Sequence, residues 1–211
     1  MDWGLLLDLA GTFFFAVSGS LLAARRGFDV VGSLLLGSLT GLGGGVMRDL
    51  VLGVPPVAFA EPVHMLPPVA AAVLVFFLMP GVERFARVLL VFDAGGLALF
   101  CTTGTTVALA AGMNPFSAAL LGRLTGIGGG LLRDVVANRV PQVFNPRDLY
   151  AVPALLGAAL ISGLWVIDVT GPLTLMVVAG MVFAFRIASL RLHWHVPHAS
   201  RHSARTGSEN A

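Results

Sequence analysis

Two arginine–aspartate dipeptides, Arg48-Asp49 and Arg133-Asp134, are the residues of this chain best placed to do chemistry. Each closes a glycine-rich segment. Leu35 to Asp49 reads LLGSLTGLGGGVMRD and Leu120 to Asp134 reads LLGRLTGIGGGLLRD; they align without a gap at an offset of 85, with 11 of 15 positions identical. The same offset pairs Asp8 with Asp93, Gly11 with Gly96, Gly19 with Gly104, Pro56 with Pro141 and Phe59 with Phe144, so the chain is a duplication. Ionised side chains inside apolar runs must be received by protein or water, and they usually serve function. Taking the first loop as centred near Gly27, Asp8 lies 19 residues before it and Arg48 21 after. At about 1.5 Å per residue both sit roughly 30 Å from that side. Around Met113, Asp93 lies 20 residues before and Arg133 20 after. Asp8 is therefore expected to face Arg48, and Asp93 to face Arg133, near opposite ends of one polar path. Asp49 and Asp134 are one residue further on and point about 100° away; a second task, capping or a loop contact, is expected of them. Two readings of the pairs stand: salt bridges that tie helices together, or charges that gate or tune a pore.

The glycines carry the second chemical possibility. Gly37, Gly41 and Gly45 are spaced for close helix packing. Yet Gly41, Gly43, Gly44 and Gly45 crowd into five positions, as do Gly126, Gly128, Gly129 and Gly130. Each costs about 1 kcal/mol of helix propensity against alanine. A packing face needs one small residue per turn, so the excess points to a helix that bends or unwinds at 43–45 and 128–130. Unwound carbonyls at mid-membrane can replace the hydration shell of a cation, and the hydroxyls of Thr40 and Thr125 could add ligands. Pure packing is the competing reading.

These residues must be positioned by membrane helices. Apolar residues form 56% of the 211 positions and charged residues 11%, with mean hydropathy +0.88; soluble domains carry about 25% charge. Apolar runs fall at 5–24, 30–52, 66–80, 88–111, 116–137, 149–167 and 172–190. Their lengths exceed the roughly 10 alternating residues of a barrel strand. The expected fold is all-α: a polytopic membrane protein of seven transmembrane helices. The first repeat occupies 1–87, the second 88–170, the seventh helix 171–192 and a disordered tail 193–211. Three spans per repeat force the second copy to enter from the opposite side, giving inverted repeats, an arrangement typical of transport proteins. The N-terminus, which has no basic region and opens with Asp2 and Asp8, reads as a first span rather than a cleaved leader.

Arg25, Arg26, Arg84, Arg87, Arg139, Arg147, Arg191, Arg201 and Arg205 fall on one side of this topology and none on the loops opposite. Arginine bias places the C-terminus in the cytoplasm and the N-terminus outside a cell (inner) membrane. Arg123, whose repeat partner is Ser38, is expected to snorkel to the outer interface. The chain has no lysine, which removes a retinal Schiff base and a P-loop. Gly41-x-Gly43-x-x-Val46 lacks the third glycine of a dinucleotide fingerprint. No enzyme activity, cofactor or nucleic-acid partner is expected, and lone Cys101 implies no disulfide. The tail histidines His193, His195, His198 and His202 have no fixed metal geometry, so no metal is expected beyond transient potassium or sodium.

The paired GLGGGVMRD and GIGGGLLRD motifs in a seven-span inverted duplication resemble the prokaryotic trimeric intracellular cation (TRIC) channels, a group also called glycine transporter-type. The resemblance covers about residues 5–190. It implies a homotrimer in lipid with one potassium-permeable pore inside each protomer, lined by the second and fifth spans. It also implies a gating or lipid-contact role at Arg48 and Arg133. Three functions remain open at this point: a passive cation channel, a secondary transporter for a small amino acid such as glycine, and a scaffold without flux.

Overall fold

The computed structural model describes residues 3–78, 85–145, 149–192 and 194, and within these it is all helix, without strands. The elements are α1 (Trp3–Arg25), α2 (Val30–Leu52), a short α3 (Val57–Ala60), α4 (Leu66–Leu78), α5 (Phe85–Ala110), α6 (Pro115–Val136), α7 (Ala151–Val166) and α8 (Pro172–Leu192). Single 3-10 turns at Pro62–Met65 and Gln142–Phe144 precede α4 and α7. Arg84, Arg147, Arg201, Arg205 and the tail histidines lie outside the described residues.

Local chemistry sets the ends of the two motif helices. Asp29 caps α2 by accepting from the Gly32 N–H at 2.8 Å, and Asn114 caps α6 by accepting from the Ser117 N–H at 2.9 Å. Gly53, at φ 70°, closes α2 in the left-handed region; Asn138, at φ 50°, takes that conformation just after α6.

Among the described residues, four helices are long and apolar enough to cross a bilayer: α1, α2, α8 and residues 87–110 of α5. The α6 helix has 22 residues, but Arg123, Arg133, Asp134 and its glycines make it more polar; α4 and α7 are apolar but have 13 and 16 residues. The surface is apolar where a water-soluble protein would be polar. Val31, Leu35, Phe77, Val136, Leu173 and Met181 all stand more than half exposed, as lipid contact requires.

Helices α1 and α5 form the centre. The first packs on α2 and α4, the second on α6, α7 and α8; the two also pack on each other, and α2 packs on α6. Small residues make these approaches possible. A Cβ on Gly19 would strike Thr40, and one on Gly104 would strike Thr125, so α1–α2 and α5–α6 use the same contact 85 residues apart. One apolar core joins Phe15 to Leu97, Phe100, Cys101, Ile161 and Val182; the other gathers Val17, Leu21, Leu36, Val75 and Leu89.

Candidate functional site

Both expected ion pairs are present. Arg48 on α2 holds Asp8 on α1, Nη1 to Oδ1 at 3.4 Å, and Arg133 on α6 holds Asp93 on α5 at 2.7 Å. The adjacent aspartates do the second task expected of them. Asp49 Oδ2 accepts from the Val57 N–H at 3.0 Å, capping α3, and Asp134 Oδ2 accepts from the Gln142 N–H at 3.1 Å. Their other oxygens do something the 100° separation did not suggest. Asp49 Oδ1 accepts from Arg48 Nε at 2.8 Å and Asp134 Oδ1 from Arg133 Nε at 3.0 Å. Each guanidinium is thus clamped between two carboxylates, one from a neighbouring helix and one from its own.

The two clusters differ in surroundings. Asp8 is 20% exposed and borders a cavity of about 250 Å³, lined by Arg48, Glu61, His64, Thr103 and Thr106 among others. His64 Nε2 approaches Asp8 Oδ2 at 3.5 Å, and its Nδ1 lies 3.9 Å from Glu61 Oε2. The hydrogen bond to Asp8 raises the imidazole above its ordinary pKa, with burial pulling the other way. Asp93 and Arg133 are both 0% exposed, and Arg133 Nη1 also donates to Ser18 Oγ at 2.9 Å. Arg133 Nη2 is buried here without a hydrogen-bond partner, and the Tyr150 hydroxyl lies beside the Asp93 carboxylate.

Between the clusters the two glycine motifs meet. Here the expected unwinding is not seen: α2 and α6 run through 43–45 and 128–130 as continuous helix. Their carbonyls stay in the helical ladder and are not released to coordinate an ion. The physical reason is that successive glycines serve different faces. Gly41 and Gly126 admit the backbone of α1 and α5, at the carbonyls of Thr12 and Leu97. Gly44 faces the Thr125 carbonyl across the seam, and Gly129 faces the Thr40 carbonyl; a Cβ at either would collide with that backbone. Gly43 and Gly128 receive the side chains of Leu132 and Met47. Gly130 lies under Tyr150 and Asp93, while Gly45 has only Arg48 near it. Four glycines in five positions therefore reflect neighbours on nearly every side.

The threonine hydroxyls are not presented as ligands either. Thr40 Oγ1 donates to the Leu36 carbonyl at 2.6 Å and Thr125 Oγ1 to the Leu121 carbonyl at 2.8 Å, and both side chains pack on the glycines of α1 and α5. Arg123 is half-buried, with Nε unpartnered.

Four contributors escaped the sequence reading, one of them Tyr150, whose partner position is Met65. Ser18 carries no repeat signature, because its partner position is Thr103. His64 sits in a loop whose other copy has Leu149. Arg186, fully buried in α8, lies outside the duplication. Its being an ionisable residue inside an apolar run was the available signal.

Comparison with known proteins adds the following. The profile described as Glycine transporter matches residues 5–80 and 90–166. A UPF0126 membrane protein of Deinococcus radiodurans is 43% identical over 154 residues, 72% of each chain. The UPF0126 inner membrane protein YadS of Escherichia coli is 33% identical over 192 residues, 90% of this chain and 92% of that one. Among solved structures, the TRIC trimeric intracellular cation channel orthologue from Rhodobacter sphaeroides superposes with a TM-score of 0.86 at 38% identity, over 92% of this chain and 100% of that one.

Proposed function

The chain belongs to the Glycine transporter family of multi-pass membrane proteins, and from that premise we propose that it is a monovalent-cation channel. The observation that carries the proposal is the seam between α2 and α6. The paired glycine motifs meet along it, and in this reading Asp8–Arg48 and Asp93–Arg133 close its two ends. The likeness to a TRIC cation channel over the whole of that structure supports it.

In this reading the protein is a homotrimer in the inner membrane, with one path inside each protomer. Residues 1–87 and 88–170 form inverted repeats and 171–192 a seventh span. The N-terminus lies outside and the C-terminus in the cytoplasm, as the arginine bias requires. Asp8 and Asp93 supply negative charge at the ends of the path. Arg48 and Arg133 neutralise it while the seam is shut, and their movement off the aspartates admits potassium or sodium. Because both helices are unbroken, conduction requires α2 and α6 to separate at Gly44 and Gly129 rather than a standing ring of carbonyls. The gap that forms would expose Thr40, Gly41, Gly43, Gly45, Thr125, Gly126, Gly128 and Gly130 along with them. Asp49 and Asp134 fix each arginine to the loop that follows, so a loop displacement is passed to the pair.

The test is potassium efflux from liposomes holding the purified protein. Rapid, unsaturable efflux that responds to an imposed voltage supports the channel. Absence of efflux, with saturable gradient-driven uptake of labelled glycine, overturns it.

A further inference from the structure

The two Asp–Arg pairs are equivalent in sequence but not in surroundings, and the difference traces to two residues. Position 65 is Met65, 36% exposed; 85 residues on stands Tyr150, 2% exposed. A Cβ on Gly130 would lie 2.6 Å from the Tyr150 hydroxyl and 3.2 Å from Asp93 Oδ1. Tyr150 and Asp93 therefore sit side by side over the last glycine of the inner motif. Behind the tyrosine, the guanidinium carbon of Arg186 lies 4.7 Å from the ring centroid. Arg186 belongs to the buried stripe Val178, Ala179, Val182, Arg186 and Ser189 along α8. It reaches the inner cluster from a helix that the duplication does not include. The outer cluster has no such cover and opens on the cavity beside His64.

We propose that Arg186 and Tyr150 are the latch of the inner gate: stacked together, they press the tyrosine over Gly130 and keep Asp93 and Arg133 sealed. Both act as positioning residues. The inference rests on the channel reading above. The latch holds a tense arrangement, since Arg133 Nη2 has no hydrogen-bond partner in the sealed cluster. Withdrawal of the ring would let water reach it, and an unsatisfied buried donor favours any motion that hydrates it. A desolvated cation–π contact is strong enough to oppose that motion. The non-repeated helix α8 thus sets the balance between the shut and open inner end.

The experiment is single-channel recording of the full chain in planar bilayers, comparing wild type with Arg186→Gln, Arg186→Lys, Tyr150→Leu and Tyr150→Phe. Arg186→Gln and Tyr150→Leu are expected to raise open probability roughly 3- to 30-fold, the worth of the stacked pair, with unitary conductance unchanged. Arg186→Lys and Tyr150→Phe keep a cation and a ring and should stay nearer wild type. Arg186→Gln with wild-type open probability overturns the latch. So does Tyr150→Phe behaving as Tyr150→Leu, or a pair of variants that lowers only the yield of folded protein. A wild type that passes no current refutes the channel reading instead.

Discussion

Adjacent glycines in the motif should respond to alanine with opposite signs. A Cβ at Gly44 would run into the Thr125 carbonyl and one at Gly129 into the Thr40 carbonyl, both backbone and both closer than any Cβ contact tolerates. To regain van der Waals distance the two helices must part by about 1 Å, which forfeits much of the contact energy along the seam. Overpacking of this kind costs typically 1–3 kcal/mol, and alanine returns up to about 1 kcal/mol of helix propensity. The net expectation is a loss of about 1–2 kcal/mol for Gly44→Ala or Gly129→Ala. At Gly45 the nearest atom is Arg48 Nη2 at 3.8 Å, an ordinary contact. There the propensity gain stands alone, and Gly45→Ala should stabilise by up to about 1 kcal/mol. For a chain of this length the swing corresponds to roughly 2–12 °C in Tm. Thermal unfolding of the purified variants in one detergent measures it. Equal Tm values for Gly44→Ala and Gly45→Ala would refute the interlocked seam.

The ion pairs should separate by burial. Arg133→Met strands Asp93 and Asp134 at 0% and 1% exposure and should cost about 3–5 kcal/mol. Arg48→Met should cost less, because Asp8 is 20% exposed beside a cavity, and the difference is read by thermal unfolding of the two variants. The His64 imidazole, held above its ordinary 6.5 by Asp8, keeps its charge and its stabilising link at low pH and loses both as pH rises through its raised pKa. Protonated His64 neutralises Asp8 beside the cavity, where Glu61, Arg48 and Asp49 are the other charges. Cation flux should therefore rise with pH above 6.5 on the side of the membrane this cavity faces, and His64→Gln should flatten the profile.

How far the sequence disclosed this arrangement differs from part to part. The helical membrane architecture was legible because apolar run length and low charge leave little else. The partners of Asp8 and Asp93 were legible because depth along a helix is a linear function of residue count, so equal distances from a turn bring side chains level. The glycine motif misled because propensity is counted per residue while packing acts per face. The sequence shows four glycines together, whereas the fold sets Gly41 against α1, Gly43 and Gly44 against α6, and Gly45 beside Arg48 alone. Arg186 and Tyr150 were unread for a related reason. The duplication drew attention to what recurs, and the inner cluster is sealed by what does not recur.

The central claim, that cations pass between α2 and α6, is tested most directly by the reversal potential of single-channel currents in asymmetric potassium chloride. The account predicts a reversal near the potassium equilibrium potential, with Asp8→Asn and Asp93→Asn each lowering unitary conductance. A reversal near the chloride potential, or no current from folded protein across the voltage range, would contradict it.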